Sequence, residues 1–166
     1  VFGQETRSMS NSELSQMRQR LGIVHQNCEF LDHLSIEENI ALPLTVAGMD
    51  NTKERANVLE LMKWVGLDSK SDVKPQELSG GERQRLALAR AVIMSPEIIL
   101  ADEPTGNVDW EMSQRLLTLM IELNKMGKTI FISTHDLSLI RLAKSHVTAR
   151  TLRISDLKLS QAGADL

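Results

Sequence analysis

The sequence predicts an α/β fold with a mostly parallel sheet, into which a group of helices is inserted. Three short apolar runs of strand length alternate with helical patterns, at 21–25, 97–102 and 129–132. Such continuous runs are typical of parallel strands, because both faces of a parallel sheet are covered. Consecutive helical patterns from about 36 to 94 interrupt the alternation, which indicates the insertion.

Capping signals place the elements of the first half. Three pairs with capping-box spacing predict helix starts: Ser10 and Glu13, Ser35 and Glu38, and Asn51 and Glu54. The first helix covers 11–20. We expect Pro43 to interrupt or kink the second, and Gly66 to end the third as its C′ residue.

The second half repeats a helix–strand pattern. Helices are predicted over about 82–94 and over 111–126, the latter ended by Gly127. Asp136 is the predicted N-cap of a last helix. Residues 146–153 are expected to add one or two edge strands.

Composition limits the classes of function. The chain of 166 residues, 42% hydrophobic, can form one domain, or one domain with a subdomain. Charges nearly balance, with 19 Lys and Arg against 22 Asp and Glu, so no nucleic-acid partner is expected. The single cysteine, Cys28, excludes an intrachain disulfide and is expected to be an inert thiol. Neither a signal peptide nor an apolar run of roughly 18 residues occurs, so a role at a membrane requires a spanning partner.

The string LSGGERQ at 78–84 is the first chemical motif. Its glycines let backbone N–H groups approach an anion, and the N-terminus of the following helix adds its dipole and unpaired donors. The hydroxyl of Ser79 can donate one more hydrogen bond. An ordinary turn is the alternative for Ser79, Gly80 and Gly81 alone, but the longer string favours phosphate recognition.

Two carboxylates, Asp102 and Glu103, follow an apolar strand at the carboxyl edge of the sheet, where such folds bind ligands. An aspartate there can hold Mg²⁺ directly or through water, and the glutamate can orient or deprotonate a water. The alternative is a pair of solvated loop carboxylates.

Three further polar residues lie near strand ends or near the carboxylates. His135 follows the last apolar strand, so we expect a contact with a γ-phosphate rather than a core or capping role. Gln26, just past the first strand, can bond a Mg²⁺ ligand or the attacking water. Asp109 could brace a subunit interface or cap the next helix.

The remaining conspicuous residues receive ordinary interpretations. Trp64 and Trp110 are expected to pack, and the arginines Arg83, Arg85 and Arg90 to form a solvated helix face. Five methionines are expected to fill the core: Met17, Met62, Met94, Met120 and Met126.

These motifs, in this order, resemble the nucleotide-binding domain of ATP-binding cassette (ABC) ATPases, which have a P-loop NTPase-like fold. The resemblance covers about 1–140. The matching strings are Gln26 for the Q-loop, LSGGERQ for the signature, IILADE with catalytic Glu103 for Walker B, 106–109 for the D-loop and His135 for the switch histidine.

The resemblance implies ATP hydrolysis with ATP and Mg²⁺ as cofactors, in a head-to-tail homodimer that holds each ATP between two chains. It implies that Asp102 and Gln26 belong to the Mg²⁺ site. Glu103 would activate the water, and His135 would stabilise the transition state. The residues it assigns to the nucleotide are Gln26, Ser79, Gly80, Gly81 and Asp109.

The resemblance also divides the chain. Residues 1–166 would be a partial nucleotide-binding domain, with a helical subdomain over about 27–94 and a catalytic core from 1–26 and 95–150. No G-x-x-x-x-G-K-S/T phosphate loop occurs. We therefore expect an N-terminally truncated chain that is inactive alone. His25 stands where the family usually has Phe, and Leu157 where it often has Gly after Asp156.

Within the family, ADEPTGNVD, ENIALPLTVAG and STHDLSLI resemble the FtsE family of cell-division ATPases. That implies a peripheral protein on the cytoplasmic face of the bacterial inner membrane. It would couple ATP hydrolysis to the activation of peptidoglycan hydrolases through an FtsX-like membrane protein, docked on the segment between Gln26 and Pro75.

Three alternatives stay open. Lipoprotein-releasing and macrolide-export ATPases share much of the same strings. A non-catalytic division scaffold belongs to another class, although Glu103 and His135 argue against it. A DNA-repair or chromosome-structure ATPase is disfavoured, because the interval from Gln26 to Ser79 holds no coiled coil or zinc insertion.

Overall fold

The computed structural model describes residues 1–106, 108–155 and 157–161. Asn107 of the D-loop string and Asp156 lie outside this range. The helices in the described part are α1 (Asn11–Gln19), α2 (Ile36–Val46), α3 (Asn51–Trp64), α4 (Gly80–Val92), α5 (Trp110–Lys125) and α6 (Leu137–His146). The strands there are β1 (Leu21–Val24), β2 (Ile98–Asp102), β3 (Thr129–Ser133), β4 (Leu152–Ser155) and β5 (Lys158–Gln161).

The predicted parallel sheet is confirmed. Strands β1, β2 and β3 pair in that order, all parallel, with Val24 opposite Ala101 and Asp102 opposite Ser133. Strands β4 and β5 form a separate antiparallel pair. Because the three parallel strands end in register, the residues that follow them meet at one edge.

The hydrophobic core consists of two main clusters that share helix α4. In the first, one face of the parallel sheet packs against α4 and α5, through Val24, Ile99, Ala101, Leu88, Leu116 and Met120. In the second, α2 and α3 pack on the other side of α4, through Ile36, Ile40, Leu44, Val58, Met62 and Leu86. The opposite face of the sheet is open, with Ile23 47% and Phe131 55% exposed. Helix α4 therefore connects the sheet to the helical part of the chain.

Three helix starts or interruptions differ from the prediction. Helix α2 continues through Pro43, because Ile36, Ile40 and Leu44 keep one face of it fully buried on both sides of the proline. Asp50, rather than Asn51, caps α3, since its side chain accepts from the N–H of Thr52 at 3.0 Å.

Helix α4 begins at Gly80, two residues earlier than predicted, since Ser79 and Glu82 form a capping box. The sequence signal for this box is the same Ser-x-x-Glu spacing that correctly marks α1 and α2.

The prediction of edge strands over 146–153 is wrong. Helix α6 continues to His146, and the strands begin at Leu152. They pair with each other rather than with the parallel sheet, because a short turn at Leu157 brings them together locally.

The packing predictions hold only in part. Trp64 packs against both main clusters, and Met62 and Met120 are buried, whereas Met17 and Met94 are half-buried. Two predictions are wrong. Trp110 is 48% exposed in the first turn of α5, and Met126 is 72% exposed at the other end of that helix.

Candidate functional site

The edge formed by the strand ends collects two carboxylates and a histidine. Asp102 ends β2 opposite Ser133, whose hydroxyl donates a hydrogen bond to the carboxylate of Asp102. The backbone N–H of Glu103 donates to the carbonyl of Ser133 at 2.9 Å. The predicted proximity of Asp102, Glu103 and His135 is therefore present in the folded chain.

Glu103 has a left-handed backbone, with φ of 44°. A non-glycine residue in this region costs about 1–3 kcal/mol, and such strain is concentrated at functional sites. Its carboxylate is held by three donors: the hydroxyl of Thr134 at 3.2 Å, the backbone N–H of His135 at 3.0 Å and Nδ1 of His135 at 2.7 Å. The side chain is only 20% exposed. The surrounding contacts thus fix this carboxylate in one orientation.

His135 is far more accessible than its partner, with 86% of its side chain exposed. Because a carboxylate accepts only, Nδ1 of His135 carries the proton in their hydrogen bond. This bond with Glu103 raises the pKa of His135 above its usual value of 6.5. The exposed ring can leave the carboxylate without disturbing the core.

We expect the Glu103→Gln variant to lower the pKa of His135 towards its ordinary value. Because the pKa of His135 is raised, the protonated ring forms an ion pair with Glu103 below this pKa. The ion pair is lost as the pH rises through the pKa and the ring becomes neutral. A titration of the histidine ring signals by NMR measures the change, with the signals of His25, His33 and His146 as internal references. An unchanged His135 titration would remove Glu103 as the cause.

Gln26 lies just beyond the end of β1, and its side chain reaches the turn that follows Glu103. A Cβ placed on Gly106 would be 3.7 Å from Nε2 of Gln26 and 3.4 Å from the carbonyl oxygen of Glu103. The exposed Gln26 therefore belongs to the same edge as Asp102 and Glu103.

The double-glycine turn forms the N-terminus of α4. Ser79 is its N-cap: the Ser79 hydroxyl accepts from the N–H of Glu82 at 3.4 Å and donates to the carboxylate of Glu82 at 3.0 Å. Lys70 contacts this carboxylate at 2.6 Å, and with the Ser79 bonds it lowers the pKa of Glu82 to about 2. Ser79 and Gly80 are exposed, so the first turn of the helix is open to an anion.

Close packing requires the second glycine of the turn. A Cβ on Gly81 would lie 2.8 Å from Cγ of Met112 in the first turn of α5. Asp109 caps that same helix, since its carboxylate accepts from the N–H of Met112 at 2.8 Å. The capping interpretation of Asp109 is confirmed, and its role at a subunit interface stays a prediction.

The chain does not bring all the predicted site residues together. Among the described residues, no hydrogen bond or ion pair joins the turn at 79–81 to Asp102, Glu103 or His135. In the described part of the chain, the strand-end group (Gln26, Asp102, Glu103 and His135) and the signature turn (79–81) therefore share no direct polar contact.

The interpretation of the arginines as a solvated face is wrong. Arg83, Arg85 and Arg90 are all half-buried, and each donates to backbone carbonyl groups of other segments. Their positions on an otherwise apolar helix could have indicated partial burial, because a guanidinium can be buried where carbonyl oxygens accept its hydrogen bonds. Cys28, which Arg83 contacts through its carbonyl, is 4% exposed, and burial raises the pKa of its thiol, as expected for an inert cysteine.

The polar groups at the strand ends suit a magnesium ion that is partly coordinated by a ligand. In the described part of the chain, no cluster of three or more His, Cys, Asp or Glu side chains could hold a metal. The exposed carboxylate of Asp102 and the amide of Gln26 are oxygen donors, and Mg²⁺ takes one or two carboxylates together with phosphate oxygens and waters. The residues present therefore fit Mg²⁺ that is held jointly with a phosphate.

A parallel sheet with an acid pair at its edge and a helix that begins at two glycines are features of nucleotide-binding α/β domains. The profile of the ABC transporter family matches residues 2–106. The chain belongs to the ABC transporter family.

Relatives with different roles have similar sequence identities to this chain. The cell division ATP-binding protein FtsE of Haemophilus influenzae is 40% identical over 139 residues, which are 84% of this chain and 64% of FtsE. The methionine import protein MetN 3 of Pseudomonas fluorescens is 38% identical, over 89% of this chain and 46% of its own. The macrolide export protein MacB of Mannheimia succiniciproducens is 39% identical, over 94% of this chain and 24% of MacB.

Solved structures confirm the fold. A dimeric structure of MJ0796, a bacterial ABC transporter cassette, matches with a TM-score of 0.77 and 35% identity, over 85% of this chain and 63% of the cassette. A second structure of that cassette, dimeric and in a post-hydrolysis state with ADP and Pi, matches at the same TM-score and 34% identity. The chain thus spans less than two thirds of the length of these relatives. Within its described residues, no helix is both long and apolar enough to cross a membrane.

Proposed function

We propose that this chain is the ATP-binding and ATP-hydrolysing part of an ABC-type ATPase subunit, which converts ATP and water to ADP and phosphate. The observation that carries the proposal is the carboxylate of Glu103, fixed beside Asp102 and bonded to His135 at 2.7 Å. A carboxylate that is fixed by donors and reachable from solvent can orient a water and accept its proton.

We assign the roles at the strand ends as follows. Glu103 orients the attacking water and takes its proton, and Asp102 holds Mg²⁺ with help from Gln26. Mg²⁺, when bound, neutralises charge on the phosphates. His135 leaves Glu103 when the nucleotide enters, and its ring then contacts the γ-phosphate. Its 86% exposure allows this movement.

We assign the signature surface to the nucleotide of a second copy. The backbone N–H groups of Gly80 and Gly81 lie at the start of α4 and suit phosphate oxygens, whereas the N–H of Ser79 donates to the carboxylate of Glu82 at 2.9 Å. Asp109 would lie at the same interface. The dimeric cassette relative supports a homodimer in which the signature turn of one copy faces the strand-end group of the other.

A mixing experiment tests the shared site. The protein is produced as its gene encodes it, so that any residues outside Val1–Leu166 are present. Variants Gly80→Asp, at the exposed glycine of the turn, and Glu103→Gln are made separately. Each alone should turn over little ATP, whereas the mixture should recover part of the activity, because a mixed pair contains one intact site. No recovery, despite mixed dimers detected by mass spectrometry, would refute the shared site. Absence of ATP turnover by the unaltered protein would refute the enzyme itself.

For the cellular role, we propose an FtsE-like subunit at the cytoplasmic face of the bacterial inner membrane. It would act in cell division with an FtsX-like membrane protein, docked on a helical subdomain over about 27–94. The strings ADEPTGNVD and STHDLSLI support this choice, together with 40% identity to FtsE. The match to MacB over 94% of the chain favours an export ATPase as the second candidate. Deletion of the gene distinguishes them: filamentous cells support division, and macrolide sensitivity with normal cell length supports export.

A further inference from the structure

Three side chains of α4 hold the backbone of the segment that begins at Gln26. Nη2 of Arg83 donates to the carbonyl of Cys28 at 3.1 Å, and Nη2 of Arg90 donates to the carbonyl of Glu29 at 2.7 Å. Nε2 of Gln84 donates to the carbonyl of Gln26 itself at 3.4 Å. One helix thus binds three carbonyl groups within four residues of chain.

The aromatic ring of Phe30 extends the same contact. Its centroid lies 4.6 Å from the guanidinium carbon of Arg90 and 5.2 Å from that of Arg83. Both distances are within the range of a cation–π interaction, which strengthens where water is excluded. Burial lowers the pKa of Arg90, and Gln84 is only 2% exposed. The contact between α4 and 26–30 is therefore partly shielded from water: the bonds of Arg83 and Gln84 are part-buried, and the bond of Arg90 to Glu29 is exposed.

Arg83 also reaches the segment that precedes the signature turn. Its Nη1 donates to the carbonyl of Pro75 at 2.9 Å, while its Nη2 donates to Cys28. A single guanidinium thus connects the chain after Gln26 with the chain before Ser79.

We propose that Arg83, Gln84 and Arg90 are positioning residues, which fix the backbone of 26–30 to α4 and thereby set the location of the Gln26 amide at the strand-end site. This inference rests on the proposed function, because it gives Gln26 a role with Mg²⁺ and water. A shift of helix α4 would then also shift Gln26. Neither can shift alone without breaking the hydrogen bonds of Arg83, Gln84 and Arg90 to this segment, two of which have a charged donor.

Arg85 provides a matched control. It lies on the same helix and is also half-buried, but its Nη1 donates to the carbonyl groups of Val65 at 3.1 Å and Gly66 at 3.4 Å. Replacing any of these arginines with methionine removes the donors and keeps most of the apolar stem. Only the replacements at Arg83 and Arg90 should release 26–30.

The first measurement is backbone hydrogen exchange by mass spectrometry, on the complete gene product without nucleotide. In the Arg83→Met, Arg90→Met double variant, the N–H groups of Cys28 and Leu31, which donate to His25 and Asn39, should exchange at least about tenfold faster, because the segment that holds them is no longer fixed to α4. Arg85→Met should leave a peptide covering 26–31 unchanged and accelerate exchange near 65–67. If the double variant does not fold, Arg90→Lys replaces it, since lysine keeps the charge but loses the planar ring contact. Equal exchange in 26–31 for all variants would overturn the proposal.

The second measurement is the Mg²⁺ concentration that gives half-maximal ATP turnover. It should rise by about threefold or more in the double variant, which corresponds to a loss of about 0.7 kcal/mol, and stay constant in Arg85→Met. If exchange is faster but the Mg²⁺ requirement is unchanged, the contact between α4 and 26–30 only stabilises the fold, and the positioning role is overturned. If the unaltered protein hydrolyses no ATP, the proposed function fails, while the exchange measurement still decides whether α4 fixes 26–30.

Discussion

Replacement of Glu103 with glutamine is expected to lower ATP turnover by about 10²–10⁴-fold, the usual contribution of a general base. The amide has nearly the size of the carboxylate, so the packing around residue 103 is kept. It cannot take a proton from water, and it also loses the ionic component of its bond with His135. Steady-state phosphate release at saturating Mg²⁺ and ATP, measured on the complete gene product, gives the ratio.

A surface carboxylate supplies the control for this substitution. Glu60 is exposed on α3, and Glu60→Gln should leave turnover within experimental error. Nucleotide affinity should be largely retained in Glu103→Gln, because the lost interaction acts on the water rather than on ATP. If turnover in Glu103→Gln equals that of the unaltered protein, Glu103 is not the base.

The strand-end group could be predicted from the sequence because parallel strands leave little freedom. Once three apolar runs are recognised as neighbours in one parallel sheet, the residues after them must share an edge. Asp102, Glu103 and His135 follow such runs, and at this edge the structure bonds His135 to Glu103 and Ser133 to Asp102. What the sequence alone could not supply is the left-handed backbone at Glu103, which depends on donors 31 and 32 residues further along the chain.

The contacts of the arginines could not be predicted for a similar reason. Arg83 binds a carbonyl 55 residues away, and Arg90 binds one 61 residues away. Hydrophobic periodicity identifies the buried face of α4, but it carries no information about which carbonyl groups surround that face. The Ser79–Glu82 capping box is different, since its spacing is local and was available from the sequence.

The capping box also affects how the signature turn can bind phosphate. The hydroxyl of Ser79 already donates to Glu82, so it must exchange that bond to contact a phosphate oxygen. Glu82 stays ionised at neutral pH, with its pKa lowered to about 2, and Lys70 at 2.6 Å offsets its charge. The backbone N–H of Ser79 also donates to Glu82, at 2.9 Å, whereas the N–H groups of Gly80 and Gly81 need no such exchange. They are therefore the more available donors for an anion.

The largest effect on stability is expected from Gly22→Ala, at about 2–3 kcal/mol. A Cβ at position 22 would lie 2.4 Å from the carbonyl oxygen of Ala91 and 3.0 Å from Cγ of Pro96, so β1 and the end of α4 would have to separate. A backbone oxygen cannot rotate aside as a side chain can. The free energy of unfolding from denaturant titration, or a melting temperature lowered by roughly 5–10 °C, measures the loss.

Gly48→Ala separates the steric effect from the general effect of replacing a glycine. Gly48 has φ of 73° and nothing within 4 Å of an added Cβ, so its replacement costs only backbone strain of about 1–2 kcal/mol. A Gly22→Ala variant as stable as the unaltered protein would mean that β1 and α4 do not pack at this distance.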